Sequence, residues 1–224
     1  MPTSIKQTVY PGWIFDHLLT SKQCRHYRKV IDELVRTESY SGDAYFQDII
    51  KLPHIARDIW LILRSTLPPT VRQNGHKYEL IGLSDQVTVS RHYGDHIKVH
   101  KDKDMRISKK NRYCLYKLAI YLNDLSDPTD RHDTTGGTSF YDEDKRWLWT
   151  AKPAEGRGVL FDMREWHSGA YVPPGKTKYM LGFRPIYQRL ETEPKPDRSN
   201  HSKNATRSGH ESGKTKCPRC QHYH

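Results

Sequence analysis

The sequence predicts a mainly β chain with flanking helices, on three observations. Short runs rich in β-branched and aromatic residues crowd the segment after Gly75. Gly, Pro, Asp and Asn clusters separate those runs, as turns separate strands. Two segments before Gly75 carry a helical apolar period instead. Strands in succession without helices between them favour a sandwich, barrel or jelly roll.

The first helix opens at Thr20-Ser21-Lys22-Gln23, a capping box in which Thr20 caps and Gln23 reaches back to the cap's amide. Cys24, Tyr27, Val30, Ile31, Leu34 and Val35 then give one apolar face, and the helix is expected over Ser21 to Arg36, with its end near Ser39 to Gly42. Pro53 suits the first turn of a second helix. Ile55, Ala56, Ile59, Trp60, Ile62 and Leu63 form its buried side, and Pro68-Pro69 stops it. Strands are expected at Glu79 to Leu83, Gln86 to His92, Asn111 to Leu122, Gly137 to Tyr141, Trp147 to Thr150, Gly158 to Phe161 and Thr177 to Ile186. Trp147, Trp149 and Trp166 are expected in the core or a pocket wall.

From about Glu193 apolar residues almost vanish. Such a segment cannot bury enough surface to offset its ordering entropy, so 193–224 is predicted to be a basic, disordered tail behind a domain at 1–192. The chain's net charge is +11, yet residues 191–224 hold seven Lys/Arg against four Asp/Glu, so most of the excess lies on the domain. Charge of this kind aids solubility and weak attraction to polyanions without specifying a fold. Met1 to Tyr10 offers no apolar signal-peptide core and no run approaches a membrane span. Cys24 and Cys114 sit singly in apolar patterns, which suits reduced thiols and a cytoplasmic or nuclear compartment, with no membrane partner. Cys217, Cys220, His222 and His224 crowd the C-terminus as a candidate zinc knuckle, a ligand set that Zn²⁺ favours.

Two segments carry the chemistry. His100-Lys101-Asp102 puts an imidazole and a carboxylate two residues apart, hence on one face of a strand, with Lys101 outward. His167 follows a Val-Leu-Phe run and can supply a third ligand. Two histidines and one carboxylate with positions left open suit non-haem Fe(II) and oxygen chemistry. With 13 histidines in the chain, spacing alone leaves a surface reading standing beside the metal one.

The order of motifs goes further. Tyr93-Gly94, His100-Lys101-Asp102, Tyr121-Leu122-Asn123, Gly136-Gly137-Thr138-Ser139-Phe140, Gly158 to Phe161, His167-Ser168-Gly169 and Lys178-Tyr179 follow one another as in the Fe(II)/2-oxoglutarate-dependent dioxygenases. The chain most resembles their prolyl 4-hydroxylase-like branch, over about residues 8–190. The resemblance implies a double-stranded β-helix, a jelly-roll variant, with Fe(II) on His100, Asp102 and His167. It implies 2-oxoglutarate and dioxygen as co-substrates, ascorbate as a reductant, and hydroxylation with release of succinate and carbon dioxide.

A buried cation should then meet the distal carboxylate of 2-oxoglutarate. Lys178 matches the family's lysine, although Lys176, Lys178, Met180, Gly182 and Arg184 share strand parity and spacing leaves Lys176 a rival. Lys178 and Arg184 also resemble the paired arginines of the nucleic-acid demethylase branch, and an inward Arg184 needs an anionic partner. Tyr93 and Tyr121 match tyrosines that line the co-substrate pocket, and Thr138 can reach it. The resemblance makes a peptidyl proline the first substrate expected. A nucleic acid of the same chemistry is the second reading, and a non-catalytic jelly-roll module with a zinc-binding tail the third.

Overall fold

The computed structural model describes residues 4–7, 12–37, 45–103, 105–108, 111–127, 129–130 and 132–190. The N-terminal part runs β1 (Ser4–Gln7), β2 (Gly12–Asp16), α1 (Ser21–Thr37), β3 (Tyr45–Lys51) and α2 (Pro53–Leu63). Then come β4 (Thr70–Gln73), β5 (His76–Leu83), β6 (Gln86–His92), β7 (Ile97–His100), β8 (Met105–Ser108), β9 (Arg112–Cys114) and β10 (Tyr116–Tyr121). The chain closes with β11 (Thr138–Tyr141), β12 (Trp147–Ala151), β13 (Gly158–Asp162), β14 (Trp166–Gly169), β15 (Lys178–Phe183) and β16 (Pro185–Arg189).

Three sheets result. Seven strands form the largest, in the order β1-β2-β13-β10-β15-β6-β3. A four-stranded sheet, β12-β11-β14-β7, packs on it through Phe140 and Ala151 against Ala119, Tyr121, Val159 and Phe161. The third sheet is β4-β5-β16-β9-β8. It is joined to the first where strands run on from one sheet to the other.

The large sheet has two unlike faces because side chains alternate along a strand. Leu118 and Ile120 of β10, Leu181 and Phe183 of β15, Val87 and Val89 of β6 and Leu160 of β13 face one way. They meet Cys24 and Ile31 of α1 and Ile55, Ala56, Ile59 and Leu63 of α2 in a single buried core. The opposite face carries Lys117, Ala119, Lys178, Met180, Gly182, Arg184, Thr88, Ser90 and His92, and lines a cavity.

The helices form as their sequence dictates. The capping box is present: Gln23 Oε1 accepts from the Thr20 amide at 2.9 Å, and Thr20 Oγ1 accepts from the Gln23 amide at 3.3 Å. Helix α2 starts on Pro53, whose missing N–H costs nothing there. Tyr179, on the helix side of β15, ties α1 to the sheet by donating to Asp32 at 2.8 Å. Cys24 and Cys114 are free and buried, and burial pushes both thiols up to about 11. No described helix is long and apolar enough to cross a membrane.

Several expected elements differ. Asn111 to Leu122 is two strands, because the chain leaves the third sheet at Leu115 and enters the large one. Thr177 to Ile186 likewise breaks at Arg184, before Pro185, whose missing N–H suits the start of a new strand. Trp147 is 60% exposed rather than in the core or a pocket wall. Its indole N–H instead donates to Thr150 Oγ1 at 3.0 Å on the surface. Trp149 stacks on Phe140 at 4.6 Å, and the Lys101 and Lys145 ammonium groups lie 5.0 and 4.5 Å from the Trp166 ring centroid. Ser39 to Gly42 and the whole tail, including Cys217, Cys220, His222 and His224, lie outside the described residues.

Gly156 sets the entry into β13. It sits at φ 78°, and a β-carbon there would lie 2.2 Å from the Leu19 carbonyl oxygen. Its own N–H and C=O join Tyr121 and Leu18 at 2.9 and 2.8 Å. Gly156→Ala is therefore expected to destabilise the fold by about 2 kcal/mol or more, read as a lower urea midpoint with unchanged slope.

Candidate metal centre

His100 ends β7, and His167 lies directly opposite it on β14, paired in register. Asp102 lies just past the end of β7 rather than on a strand, but the backbone has not yet turned away. Its carboxylate therefore still reaches both rings. Oδ1 is 3.5 Å from His100 Nε2, and Oδ2 is 3.7 Å from His167 Nε2. One ligand atom from each of the three fits within a 4.8 Å span.

The tautomers suit a cation. His100 Nδ1 lies 2.8 Å from the Lys98 carbonyl and His167 Nδ1 2.9 Å from the Glu165 carbonyl. A carbonyl can only accept, so each Nδ1 holds the proton and each Nε2 presents its lone pair to the centre. Burial lowers the pKa of His167 to about 4, keeping it neutral. Hydrogen bonding to Asp102 raises that of His100 by favouring a second proton on Nε2, which a cation at the centre would displace. Burial alone would raise the Asp102 pKa, but His100 and the Lys117 ammonium hold it well below the usual carboxylate range. Lys117 Nζ donates to Asp102 Oδ2 at 2.8 Å. The donor set of two neutral imidazoles and one carboxylate fits Fe(II).

The centre opens into a cavity of about 430 Å³ between the two packed sheets, within the usual range for ligand sites. Lys178 lies in its wall, 3% exposed, with its ammonium 5.3 Å from the Tyr121 ring centroid. Among the described residues that ammonium has no hydrogen-bond or ion-pair partner. Burial, and then the charge of Lys117, lower its pKa to about 7. Lys176 is elsewhere: its ammonium donates to the Leu125 carbonyl at 2.9 Å, outside the cavity.

Residues 86–183 match the model of the 2OG-Fe(II) oxygenase superfamily. With the triad they contain, those residues form a 2OG-Fe(II) oxygenase domain. Its His100-Asp102-His167 triad makes it a 2-oxoglutarate-dependent dioxygenase, with Fe(II) and 2-oxoglutarate implied by family and triad together. A search of curated protein sequences found no match.

Solved structures share the oxygenase's fold at low identity. The viral collagen prolyl hydroxylase vCPH of Paramecium Bursaria Chlorella virus-1, in its 2OG complex, is 17% identical with a TM-score of 0.52, over 80% of this chain and 97% of that one. A prolyl hydroxylase from Trichoplax adhaerens, bound to a hypoxia inducible factor oxygen degradation domain peptide fragment, is 14% identical with a TM-score of 0.54, over 79% and 84%. HygX from Streptomyces hygroscopicus, with nickel and 2-oxoglutarate bound, is 13% identical with a TM-score of 0.50, over 79% and 82%. The two facing sheets with their helices are the double-stranded β-helix of the 2OG oxygenases.

Two expected pocket residues of the oxygenase sit differently. Tyr93 does not line the cavity; its ring lies 5.7 Å from the Arg91 guanidinium. The inward position belongs to His92, which pairs with Lys178 across the sheet, and the next residue leaves the strand. Tyr121 is fully buried beneath the cavity, and its hydroxyl is already joined to Thr138 Oγ1 at 2.6 Å and to the Ala151 carbonyl at 3.2 Å. Thr138 lines the cavity, as does Arg184, which has no carboxylate partner among the described residues.

Sequence reasoning missed His92, Thr88 and Lys117. The first two share the inward parity of β6, and that signal was available once its pairing with β15 was known. His92 is buried and lowered to about 3 by burial and then by Lys178, so it is neutral, and its Nε2 has no partner.

Lys178 gives a pH dependence. Its folded pKa of about 7 lies below the ordinary 10.5, so between those values the unfolded chain binds the extra proton. The stability contribution of this group therefore rises with pH across that window. Lys178→Met is expected to remove the rise and to stabilise the ligand-free protein at pH 7, measured by urea unfolding at pH 7 and at about pH 9.

Proposed function

We propose that this dioxygenase hydroxylates a peptidyl proline, converting 2-oxoglutarate and dioxygen to succinate and carbon dioxide. The observation that carries the chemistry is a His-Asp-His triad opening into the same cavity as a buried lysine without a partner. His100 and His167 through Nε2, and Asp102 through its carboxylate, would hold Fe(II). Bound there, Fe(II) supplies the site for 2-oxoglutarate and for activation of dioxygen.

This chain's residues do the rest. Lys178 receives the distal carboxylate of 2-oxoglutarate, the partner its buried charge lacks. His92 Nε2 lies in the wall beside it, also unpaired. Tyr121 acts through Thr138 and as a floor under Lys178, and does not donate directly. Lys117 fixes Oδ2 of Asp102 on the His167 side and leaves Oδ1 beside His100. Phe161, Met163 and Met180 give an apolar wall that limits water. Ascorbate is the expected reductant. The catalytic domain is assigned to residues 1–192.

The proline reading is supported by the substrate that the names of two fold neighbours carry. A nucleic-acid substrate draws support from the cations along the cavity, Lys103, Lys117, Lys178 and Arg184. Lys117 is already paired and Lys178 is assigned to the co-substrate, which leaves too few for a track of phosphates.

With Fe(II) and 2-oxoglutarate, Asp102→Ala is expected to lower succinate formation by more than ~100-fold. Lys178→Met is expected to raise the KM for 2-oxoglutarate by about tenfold or more, because a carboxylate would enter the cavity unpaired. Normal turnover by Asp102→Ala would overturn the metal assignment. Mass spectrometry for a +16 Da product on proline-containing peptides and on oligonucleotides separates the two substrates.

A further inference from the structure

The cavity carries more positive charge than the reaction uses. Lys103, Lys117, Lys178 and Arg184 line it, against the single carboxylate of Asp102. A bound divalent metal and the dianion of 2-oxoglutarate cancel each other, so they leave that excess in place. Lys117 is spoken for by Asp102 at 2.8 Å, and Lys178 by the co-substrate in the proposed reading.

Arg184 is different. It continues the inward row Lys178, Met180 and Gly182 on the β15 side of the cavity, and it is only partly exposed. Among the described residues its guanidinium makes no hydrogen bond or ion pair. A half-buried guanidinium without an anion is unusual, because this group favours planar, paired oxygens.

The floor beside it is built low. Ala119, Gly182 and Thr88 lie side by side on adjoining strands. A β-carbon on Gly182 would already press on the Thr88 side chain at 3.3 Å. Thr88 is 8% exposed, and its hydroxyl is buried without a partner. Arg184 and Thr88 thus offer unused donors around a small-residue depression in the cavity floor.

Beyond Thr88 and its strand β6 lies β3, the edge strand of the large sheet among the described residues. Its inward residues Tyr45 and Gln47 line the cavity, and Ile49 continues the row, half exposed. An edge strand with unpaired amides and carbonyls accepts an extended peptide. A nucleic acid would need a run of cations there instead, and the row Tyr45, Gln47, Ile49 and Lys51 holds a single one.

We infer that the substrate is an extended acidic peptide, and that an Asp or Glu side chain close to the hydroxylated residue docks on Arg184 beside Thr88. This rests on the dioxygenase reading and narrows its substrate. Arg184 thereby acts as a specificity residue, in place of the co-substrate contact expected from sequence.

The test uses the full chain with Mn(II) and 2-oxoglutarate under nitrogen. The probes are acetylated alanine-based hexapeptides with one proline and one aspartate within two residues of it, and the same set with asparagine. At least one aspartate peptide should bind tenfold or more tightly than its asparagine twin. Arg184→Gln should erase that ratio, and Arg184→Lys should keep part of it, which guards against a folding artefact. The inference falls if aspartate and asparagine peptides bind alike in the wild type, or if the ratio survives in Arg184→Gln. It also falls if Arg184→Gln weakens 2-oxoglutarate binding while peptide preference persists, because Arg184 would then hold the co-substrate. A single-stranded oligonucleotide that binds tenfold more tightly than every peptide overturns the peptide class. Succinate release by the wild type with Fe(II) is scored separately, so its absence counts against the dioxygenase reading and not merely against the carboxylate.

Discussion

The structure depends on the two-residue alternation of the large sheet. One set of residues on β6, β10, β13 and β15 is apolar and packs against the two helices. The other set faces the four-stranded sheet, with Tyr121, Val159 and Phe161 packed on it and polar or small residues lining much of the cavity. A one-residue slip of β15 would turn Lys178 into the helix core and Leu181 into the cavity, exchanging every role at once. The burial of Leu118, Ile120, Leu181 and Phe183 therefore fixes where the charged residues must point. Stability and chemistry share one register.

That register places an expensive group. The Lys178 ammonium has left water without gaining a partner, and its lowered pKa records the cost. Asp102 is the contrasting case, a half-buried carboxylate satisfied by an imidazole and an ammonium and held ionised. The triad is thus prepared for a cation, while Lys178 waits for an anion. The space between them is the cavity. His92 and Thr88 extend the same pattern, with buried polar atoms left unpaired along one wall. Such atoms are costly in a core and purposeful in a binding site.

The fold was largely legible because its signals are local. A capping box, a proline in a first turn and runs of alternating apolar residues each act through near neighbours, and the helices and most strands fell where expected. The breaks at Leu115 and Arg184 were not legible. There the chain stays extended while its partner strands change, and pairing leaves no mark in composition. Trp147 was misassigned for a related reason, since a large aromatic residue suggests burial but cannot say which face is covered.

By itself the sequence determined the β-rich class, the order of motifs, and that His100 and Asp102 stand two residues apart on extended backbone. Those properties are carried by covalent spacing and local preference. Only the tertiary structure decided that His167 faces His100, that Lys178 rather than Lys176 enters the cavity, and that His92 takes the inward place expected of Tyr93. It also decided that the Tyr121 hydroxyl is spent on Thr138 and that Arg184 faces the cavity without an anion. The reason is physical. Each of these depends on which strand lies beside which and in what register, and cross-strand partners come from segments tens of residues apart.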